Sequence, residues 1–347
     1  MQKTLTTTVL AAALALGATA ASAEIRIGAS VSATGPAAFL GDPEAKTLEM
    51  LVEQINENGG INGEEIALTL YDDGGDPNKA RTFATRLIED DEVVAIIGGS
   101  TTGTSMSILS VAEDNEIPFI SLAGAIEIID PVKPFTFKTP HTDRMACQKI
   151  FEDMQKRQIT TIGMISGTDG FGASMQAQCK DVVGEYGITV AADETYNPTD
   201  ADMTTQLTKI RNTEGVQAVL NPGFGQGPSI VTRNYRQLAI DLPLYQSHGV
   251  ASDGFIELAG AEAAEGVRLP GTALLIADQL GADDPQKPVV DAYKSAFEEK
   301  TGTSVGTFGG YAHDAFLILT DAITRAGSAE PQAIRDAIES TSGLAGT

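Results

Sequence analysis

A cluster of hydroxyl side chains follows two glycines in the segment 95–105, which reads AIIGGSTTGTS. Residues 93–97 are short and continuously apolar, which predicts a strand buried on both faces, and apolar residues then recur at helical spacing. We therefore predict a parallel strand that ends in a helix N-terminus. Backbone N–H groups and the positive end of the helix dipole meet there, and the hydroxyls of Ser100, Thr101 and Thr102 add donors. This combination predicts an anion site, for a carboxylate or a phosphate.

Few residues of the chain have the types and spacing that covalent chemistry needs. There are three histidines and two cysteines, and no nucleophile elbow, zinc-binding helix or P-loop motif is present. His141 and His313 are interpreted as structural or surface residues. The segment 223–227 is rich in glycine, but its spacing differs from that of dinucleotide-binding loops. Acidic pairs fall at turns and helix caps, so we expect no metal, no cofactor and no enzyme activity.

Strands and helices must alternate to position this junction, and the sequence pattern predicts that they do. Predicted strands lie at 24–29, 66–71, 93–97, 117–122, 135–138, 160–166, 189–194, 218–221 and 243–245. The dipeptides Asp42-Pro43 and Asp76-Pro77 are each predicted to cap a helix and supply its first residue. Alternation of this kind favours parallel sheets covered by helices on both faces. We therefore predict an α/β fold of two doubly wound parallel-sheet lobes joined by a hinge.

Two interruptions of the pattern divide the chain. A length of 347 residues favours two domains. Prolines cluster at 131–140, and a second break falls at 267–270. We predict a first lobe of residues 24–139 and 271–340, and a second lobe of residues 140–270 that also receives the C-terminal end. Because no final strand precedes Thr347, we expect the natural chain to continue further.

The N-terminus and the overall charge point to an exported protein. The first 23 residues combine Lys3, an apolar core and the cleavage site Ala21-Ser22-Ala23, which together predict a signal peptide cut after Ala23 and a periplasmic location. No later stretch approaches the ~20 apolar residues of a membrane span. The formal net charge of −24 argues against nucleic acid and anionic membranes as partners.

Cys147 and Cys179 are the only cysteines, and both fall in predicted helices beside the strand at 160–166. In an oxidising compartment such an isolated pair is expected to form a disulfide that joins the two helices. A catalytic thiol and a metal ligand are the alternatives, but no histidine lies at a suitable spacing for either.

A series of short motifs resembles the periplasmic substrate-binding proteins of ABC transporters, in particular the branched-chain amino acid type. In chain order these motifs are Thr34-Gly-Pro36, Gly41-Asp42, residues 55–63, Tyr71-Asp-Asp73, Asp76-Pro77, Ile97-Gly98, residues 117–121, Gly170-Phe-Gly172, Gly223-Phe-Gly225 and Gly309-Gly-Tyr-Ala312. The resemblance extends over nearly the whole mature chain. It implies a type I periplasmic binding fold whose two lobes close on one ligand molecule.

Carried over position by position, the resemblance also implies a ligand site. Thr102 matches the hydroxyl residue that binds the ligand carboxylate, with the backbone of Ala123 and Ala125 beside it. Phe171 and Phe224 stand where tyrosines are usual, and His248 stands where an acidic residue holds the ligand ammonium. The complete set of predicted ligand-binding residues is Leu40, Ser100, Thr101, Thr102, Ala123, Gly124, Ala125, Phe171, Phe224 and His248.

These departures from the family pattern bear on the ligand. A buried ammonium without a carboxylate partner is costly, which disfavours an α-amino acid. We expect a small organic acid, preferably an aromatic carboxylate and otherwise an aliphatic one, delivered by a monomeric protein to an ABC permease and its ATPase. A binding protein for branched-chain or other amino acids and a ligand sensor of the same fold are the alternatives, and an enzyme is the most distant one.

Overall fold

A parallel sheet of five strands organises the first half of the chain. The structure is a computed structural model and describes residues 24–347, so the predicted signal peptide lies outside the described residues. The strands are β1 (Ile25–Val31), β2 (Ile66–Asp72), β3 (Ala95–Gly98), β4 (Phe119–Ser121) and β5 (Thr136–Lys138). Their order in the sheet is β2-β1-β3-β4-β5, and every pair is parallel. The order reverses between β1 and β3.

A second parallel sheet repeats this plan with four strands. They are β6 (Thr161–Gly167), β7 (Thr189–Tyr196), β8 (Ala218–Asn221) and β9 (Leu244–Gln246). Their order is β7-β6-β8-β9, which reverses between β6 and β8. The predicted α/β fold of two doubly wound lobes is therefore confirmed. We use "first lobe" and "second lobe" for the two sheets with the helices that pack on them.

Helices cover both faces of each sheet. Those of the described residues are α1 (Ala38–Glu57), α2 (Pro77–Glu89), α3 (Thr102–Asp114), α4 (Asp143–Lys156), α5 (Gly170–Val182), α6 (Thr204–Asn212), α7 (Gln226–Gln237), α8 (Asp253–Ala259), α9 (Ala261–Ala264), α10 (Lys287–Thr301), α11 (Thr307–Ala326) and α12 (Pro331–Glu339). In the first lobe α1, α11 and α12 pack on one face, and α2 and α3 on the other. In the second lobe α4 and α5 oppose α6 and α7. Each lobe thus has its own core.

The two Asp-Pro dipeptides behave differently. Asp76 caps α2 as predicted, because its carboxylate accepts hydrogen bonds from the backbone N–H groups of Asn78 and Lys79. The prediction for Asp42-Pro43 is wrong, since α1 begins at Ala38 and contains Pro43. A β-carbon at Gly41 would lie 2.2 Å from the carbonyl carbon of Ser32, so the early turn of α1 packs directly on the backbone that follows β1. Tertiary packing overrides the local cap signal here.

The first connection between the lobes is held by Lys138 and Asp143. The Lys138 ammonium donates hydrogen bonds to the carbonyl oxygens of Gly124, Pro140 and His141, at 3.2, 2.9 and 3.3 Å. The backbone N–H of Asp143, at the start of α4, also donates to Gly124, at 3.0 Å. The Asp143 carboxylate accepts hydrogen bonds from Ile126 in the first lobe and from the Ser174 hydroxyl in the second. These contacts fasten the connection to both lobes.

The C-terminal end packs on the first lobe, whereas the sequence analysis assigned it to the second. The backbone N–H of Thr347 donates to the Asp314 carboxylate of α11, and the Gln286 side chain donates to the Gly346 carbonyl. The remaining residue boundaries of the lobes stay predictions.

The predicted disulfide is present and links α4 to α5 through Cys147 and Cys179. Both residues are fully buried in the core of the second lobe. None of the helices in residues 24–347 is long and apolar enough to cross a membrane. The same residues contain no group of three or more His, Cys, Asp and Glu side chains close enough to hold a metal ion.

Candidate functional site

A cavity lies between the lobes at the point where both sheets reverse their strand order. It measures about 380 Å³ when the part that opens to solvent is included. Its walls come from segments that follow the carboxyl ends of β1, β3, β6 and β8, where ligands bind in open α/β sheets. The lobes touch beside it: a β-carbon at Gly170 would lie 3.6 Å from the Cγ2 atom of Thr102, and the rings of Phe39 and Phe224 lie 6.5 Å apart.

The structure brings nearly all of the predicted ligand residues together on this cavity. Those that line it are Leu40, Ser100, Thr101, Thr102, Ala123, Gly124, Phe171, Phe224 and His248. Ala125 is the exception, because it is fully buried in the apolar core under α2 and α3 and does not reach the wall.

Thr102 is the first residue of α3 and the polar centre of the first-lobe wall. Its Oγ1 atom is buried and has no hydrogen-bond partner among the described residues. The helix start also leaves the backbone N–H groups of Thr102 and Gly103 without intrahelical acceptors. A hydroxyl and a helix N-terminus at one place suit an anion, as predicted for this segment.

Ser100 does not add a free donor, which corrects the prediction made for it. Its hydroxyl donates to the carboxyl group of Glu44 and accepts a hydrogen bond from the backbone N–H of Ser32 at 2.9 Å. Glu44 is completely buried in α1, and burial raises its pKa well above the usual range although the Ser100 hydrogen bond lowers it. The raised pKa means that burial favours the neutral form of this carboxyl group over the charged form.

Two further predicted donors are engaged within the first lobe. The Thr101 hydroxyl caps α3 by accepting the backbone N–H of Thr104, whose own hydroxyl accepts the N–H of Thr101. The backbone N–H of Ala123 donates to the Ser121 hydroxyl at 3.1 Å. Thr101 and Ala123 therefore shape the wall, and Thr102 is left to bind.

The second-lobe wall is formed by aromatic rings. Phe171 lies in the first turn of α5 and Phe224 follows β8, and their rings meet edge to face with centroids 6.0 Å apart. Asp169 caps α5, because its carboxylate accepts the backbone N–H groups of Phe171 and Gly172, each at 3.0 Å. The N-terminus of α5 therefore already carries an acidic group, in contrast to that of α3.

His248 is the polar residue of the second-lobe wall. Neither ring nitrogen has a hydrogen-bond partner among the described residues, and the ring packs against Phe171 at a centroid distance of 5.4 Å. Burial lowers the pKa of His248 to about 3, with smaller contributions from Lys138 and His141. The imidazole is thus neutral without ligand, with one donor and one acceptor nitrogen.

Gly124 closes the wall between His248 and Phe171. A β-carbon at this position would lie 2.7 Å from Nε2 of His248 and 2.9 Å from Cε2 of Phe171. Only a glycine allows the two rings to approach the backbone of the first lobe so closely.

Sequence reasoning missed part of the wall. Leu122, Pro140, Gly249, Phe308 and Tyr311 also line the cavity. Phe308 and Tyr311 flank Gly309-Gly310 at the start of α11, nearly 200 positions beyond β4 in the chain. The paired aromatics around two glycines were the available signal, since such glycines permit close approach of a neighbouring segment.

The wall as a whole can bind an anion that has an apolar body. Among the described residues, the buried polar side-chain atoms of this wall that have no hydrogen-bond partner are Oγ1 of Thr102 and the two ring nitrogens of His248, and the Tyr311 hydroxyl makes no hydrogen bond either. No Asp or Glu is among the residues that line it. The remaining surface is aliphatic and aromatic, as in most small-molecule sites.

Comparison with known proteins agrees with this architecture. The family model described as "periplasmic binding protein" matches residues 24–346. A Pseudomonas aeruginosa protein named leucine-, isoleucine-, valine-, threonine- and alanine-binding protein is 27% identical over 319 residues, which cover 90% of this chain and 82% of that protein.

Two solved structures have the same fold. The crystal structure of an extracellular ligand-binding receptor from Rhodopseudomonas palustris HaA2 superposes with a TM-score of 0.86 at 29% identity, covering 93% of this chain and 91% of that one. An ABC transporter solute-binding protein from Rhodopseudomonas palustris BisB5, in complex with 3,4-dihydroxybenzoic acid, has a TM-score of 0.76 at 19% identity and covers 90% and 84%.

The family match spans almost all of the described residues, and the neighbours share both lobes. Members of this family are substrate-binding proteins rather than enzymes. The chain therefore belongs to the periplasmic binding protein family, as a solute-binding receptor of the type I group that includes the leucine/isoleucine/valine-binding proteins.

Proposed function

We propose that this chain is the periplasmic solute-binding component of an ABC importer and that it binds a small organic acid, with an aromatic carboxylate favoured. The observation that carries the proposal is the composition of the cavity wall. It offers an unpartnered hydroxyl on Thr102 and an unpartnered imidazole on His248, and none of its residues is acidic. Such a wall satisfies a carboxylate and leaves an ammonium without a counter-charge.

The charges at the two helix starts define the orientation of the ligand. The cap of α3 is a neutral hydroxyl on Thr101, whereas the cap of α5 is the carboxylate of Asp169. A ligand carboxylate is attracted to the uncompensated dipole of α3, whereas the side chain of Asp169 already occupies the N-terminus of α5. The acid end therefore lies at Thr102, and the apolar body lies against Phe171 and Phe224.

The names of similar proteins favour different ligands. The Pseudomonas aeruginosa relative is named for amino acids, and the neighbour at 19% identity holds a dihydroxybenzoic acid. At these identities the names do not decide the ligand of this chain. The choice rests on the wall, where a buried ammonium would lose its hydration and gain no carboxylate.

Matched ligand pairs test the proposal directly. Leucine and 4-methylpentanoate differ only in the α-ammonium group, as do phenylalanine and 3-phenylpropanoate. We expect both acids and benzoate to raise the melting temperature and both amino acids to leave it unchanged. A ligand at a hundred times its Kd stabilises the folded state by about 2.7 kcal/mol, which a thermal-shift assay detects.

A stronger shift with leucine than with 4-methylpentanoate would contradict the choice of ligand. It would favour an amino acid-binding function, and one feature of the cleft supports that alternative. Asp169 lines a neighbouring part of the cleft together with Thr102, Phe171 and Phe224. In that case the ligand ammonium would contact Asp169, and Asp169→Asn would abolish leucine binding while Asp169→Glu would retain part of it.

Transport and sensing are separated by the partner. A transport component increases the ATPase activity of its permease complex in proteoliposomes when its ligand is present. A sensor of the same fold would instead bind a signalling protein in its ligand-bound form. Adjacent permease and ATPase genes would favour transport.

A further inference from the structure

A second cavity lies beside the first, on the side where the chain crosses between the lobes. It measures about 650 Å³ when the part that opens to solvent is included, and we call it the hinge-side chamber. It is lined by His141, Met145, Ala146, Lys149, His248, Pro270, Gly271 and Tyr311. His248 and Tyr311 also line the ligand cavity, so these two side chains alone are shared by both spaces.

The partition between the two spaces is not fixed by hydrogen bonds. Neither nitrogen of His248 has a partner, and no hydrogen bond of residues 24–347 involves the Tyr311 hydroxyl. His248 packs against Phe171 and Gly124, and the backbone of His141 lies close enough to favour its protonated form. An imidazole that is 94% buried with both nitrogens unpaired points to a polar ligand group beside it, since such groups are normally satisfied.

The chamber offers hydrogen-bond donors at its far end. Lys149 is only loosely paired with Glu152, at 3.6 Å, and 70% of its side chain is exposed. His141 contributes a second imidazole, and no acidic side chain is among the lining residues. Met145, Ala146 and Pro270 add apolar side chains to the lining. An apolar stem that ends in an acceptor or an anion fits this arrangement.

We propose that the hinge-side chamber is a second subsite, which receives the distal end of an elongated acid. The near carboxylate lies at Thr102, the body passes His248 and Tyr311, and the distal acceptor or anionic group meets Lys149 and His141. This inference rests on the proposed function and narrows its ligand class from short acids to elongated ones with a polar far end.

Calorimetric titration of three acids tests the subsite. Benzoate fills the ligand cavity only, cinnamate is longer but has an apolar far end, and 4-carboxycinnamate is longer and carries a distal carboxylate. We expect 4-carboxycinnamate to bind the wild-type protein at least about tenfold more tightly than benzoate, with cinnamate between them. Equal or tighter binding of benzoate overturns the inference.

Variants at the rim of the chamber make the test specific. Met145 is 51% exposed on α4, so its replacement leaves the core intact. Met145→Trp narrows the chamber and is expected to weaken 4-carboxycinnamate at least about fivefold while benzoate stays within about twofold. Met145→Leu, which keeps an apolar side chain of similar size, is the matched control and leaves both acids within about twofold. Lys149→Met removes the distal charge and weakens 4-carboxycinnamate but not cinnamate.

The outcomes distinguish the two proposals. If none of the three acids binds the wild-type protein, the proposed function fails and the subsite fails with it. If benzoate binds but Met145→Trp weakens all three acids equally, or weakens none, the subsite alone is overturned.

Discussion

The two walls of the ligand cavity are built from different chemistry. The first-lobe wall is backed by a network of buried polar groups, in which Ser30 and Ser32 donate to the Asp73 carboxylate at 2.9 and 2.7 Å and Ser100 donates to Glu44. The second-lobe wall consists of Phe171, Phe224 and His248, and its polar atoms have no such support. In the proposed function, the first lobe therefore recognises the charge of the ligand, while the second excludes water and supplies apolar contact.

The comparison shows that an N-terminal helix cap can either leave the helix dipole available to a ligand or neutralise it. Both α3 and α5 begin at the cavity after a parallel strand, and both have a side-chain cap. A hydroxyl cap leaves the dipole of α3 available to a ligand, whereas a carboxylate cap neutralises that of α5. A single capping residue therefore decides which lobe binds the anion.

The largest expected effect is on the stability of the second lobe. Among the described residues, this lobe contains a disulfide and the first lobe does not. Its cysteines are 32 positions apart, so loss of the cross-link in Cys147→Ala/Cys179→Ala costs about 3–4 kcal/mol of unfolding free energy by the chain-entropy relation. Urea unfolding followed by circular dichroism measures this. Reductant should destabilise the wild-type protein and leave the double variant unchanged. A loss below about 1 kcal/mol would mean that the lobe needs no cross-link.

The next effect tests whether charge recognition belongs to the first lobe. Thr102→Val keeps the shape and removes the hydroxyl, so affinity for benzoate should fall about thirtyfold, equivalent to about 2 kcal/mol for a hydrogen bond to a charged group. Thr102→Ser restores the donor and should stay within about threefold of the wild type. Calorimetric titration gives both values.

Ser100→Ala is the control for that experiment. Because its hydroxyl is engaged with Glu44, its removal should change the affinity little and lower the unfolding free energy instead. A thirtyfold loss of affinity in Ser100→Ala would show that the hydroxyl turns toward the ligand, and the two walls would then differ less than described.

The pH dependence of stability tests the role of Lys138, which holds the first connection between the two lobes. Burial lowers the pKa of Lys138 to about 7, opposed by the charge of Asp143, whereas its ordinary value is 10.5. Between pH 7 and pH 10.5 the side chain of Lys138 carries its proton in the unfolded chain but has lost it in the folded chain. The free energy of unfolding therefore increases as the pH rises through this range. The wild type should therefore gain up to about 1.4 kcal/mol per pH unit relative to Lys138→Met above pH 7. Urea unfolding at pH 7, 8 and 9 measures the difference, and a flat difference would contradict it.

The smallest effect sharpens the role of the second-lobe rings. Phe171→Leu keeps an apolar wall but removes the ring, so benzoate should bind about fivefold more weakly, equivalent to about 1 kcal/mol. Binding of 4-methylpentanoate should be unaffected, because an aliphatic body makes no aromatic contact. An equal loss for both acids would mean that Phe171 acts through packing alone.

Much of the fold could be predicted because the spacing of apolar residues and the lengths of apolar runs can be read from short segments of the sequence. Each of the nine strands falls within two residues of a predicted one at either end. The start of α1 could not be predicted in this way. The packing of Gly41 on Ser32 that determines it is a contact between segments, and Asp42-Pro43 carries the same local signal as Asp76-Pro77.

The site was predictable in position and less so in detail. The hydroxyls of Ser100, Thr101 and Thr102 are equivalent in the sequence, but Glu44, 56 positions away, engages the first and Thr104 engages the second. The hinge-side chamber combines α4, the segment near Pro270 and α11, which no local pattern relates to one another.

Gly124 offers a practical tool for biosensor work. Added methyl bulk there would press on His248 and Phe171 from the opposite lobe. Gly124→Val should therefore hold the halves of the molecule apart and abolish the ligand response while leaving the Thr102 hydroxyl and the His248 imidazole in the chain. A fluorescent reporter made from Gly124→Val would then serve as the ligand-insensitive reference for one made from the wild-type protein, because the substitution leaves the net charge unchanged.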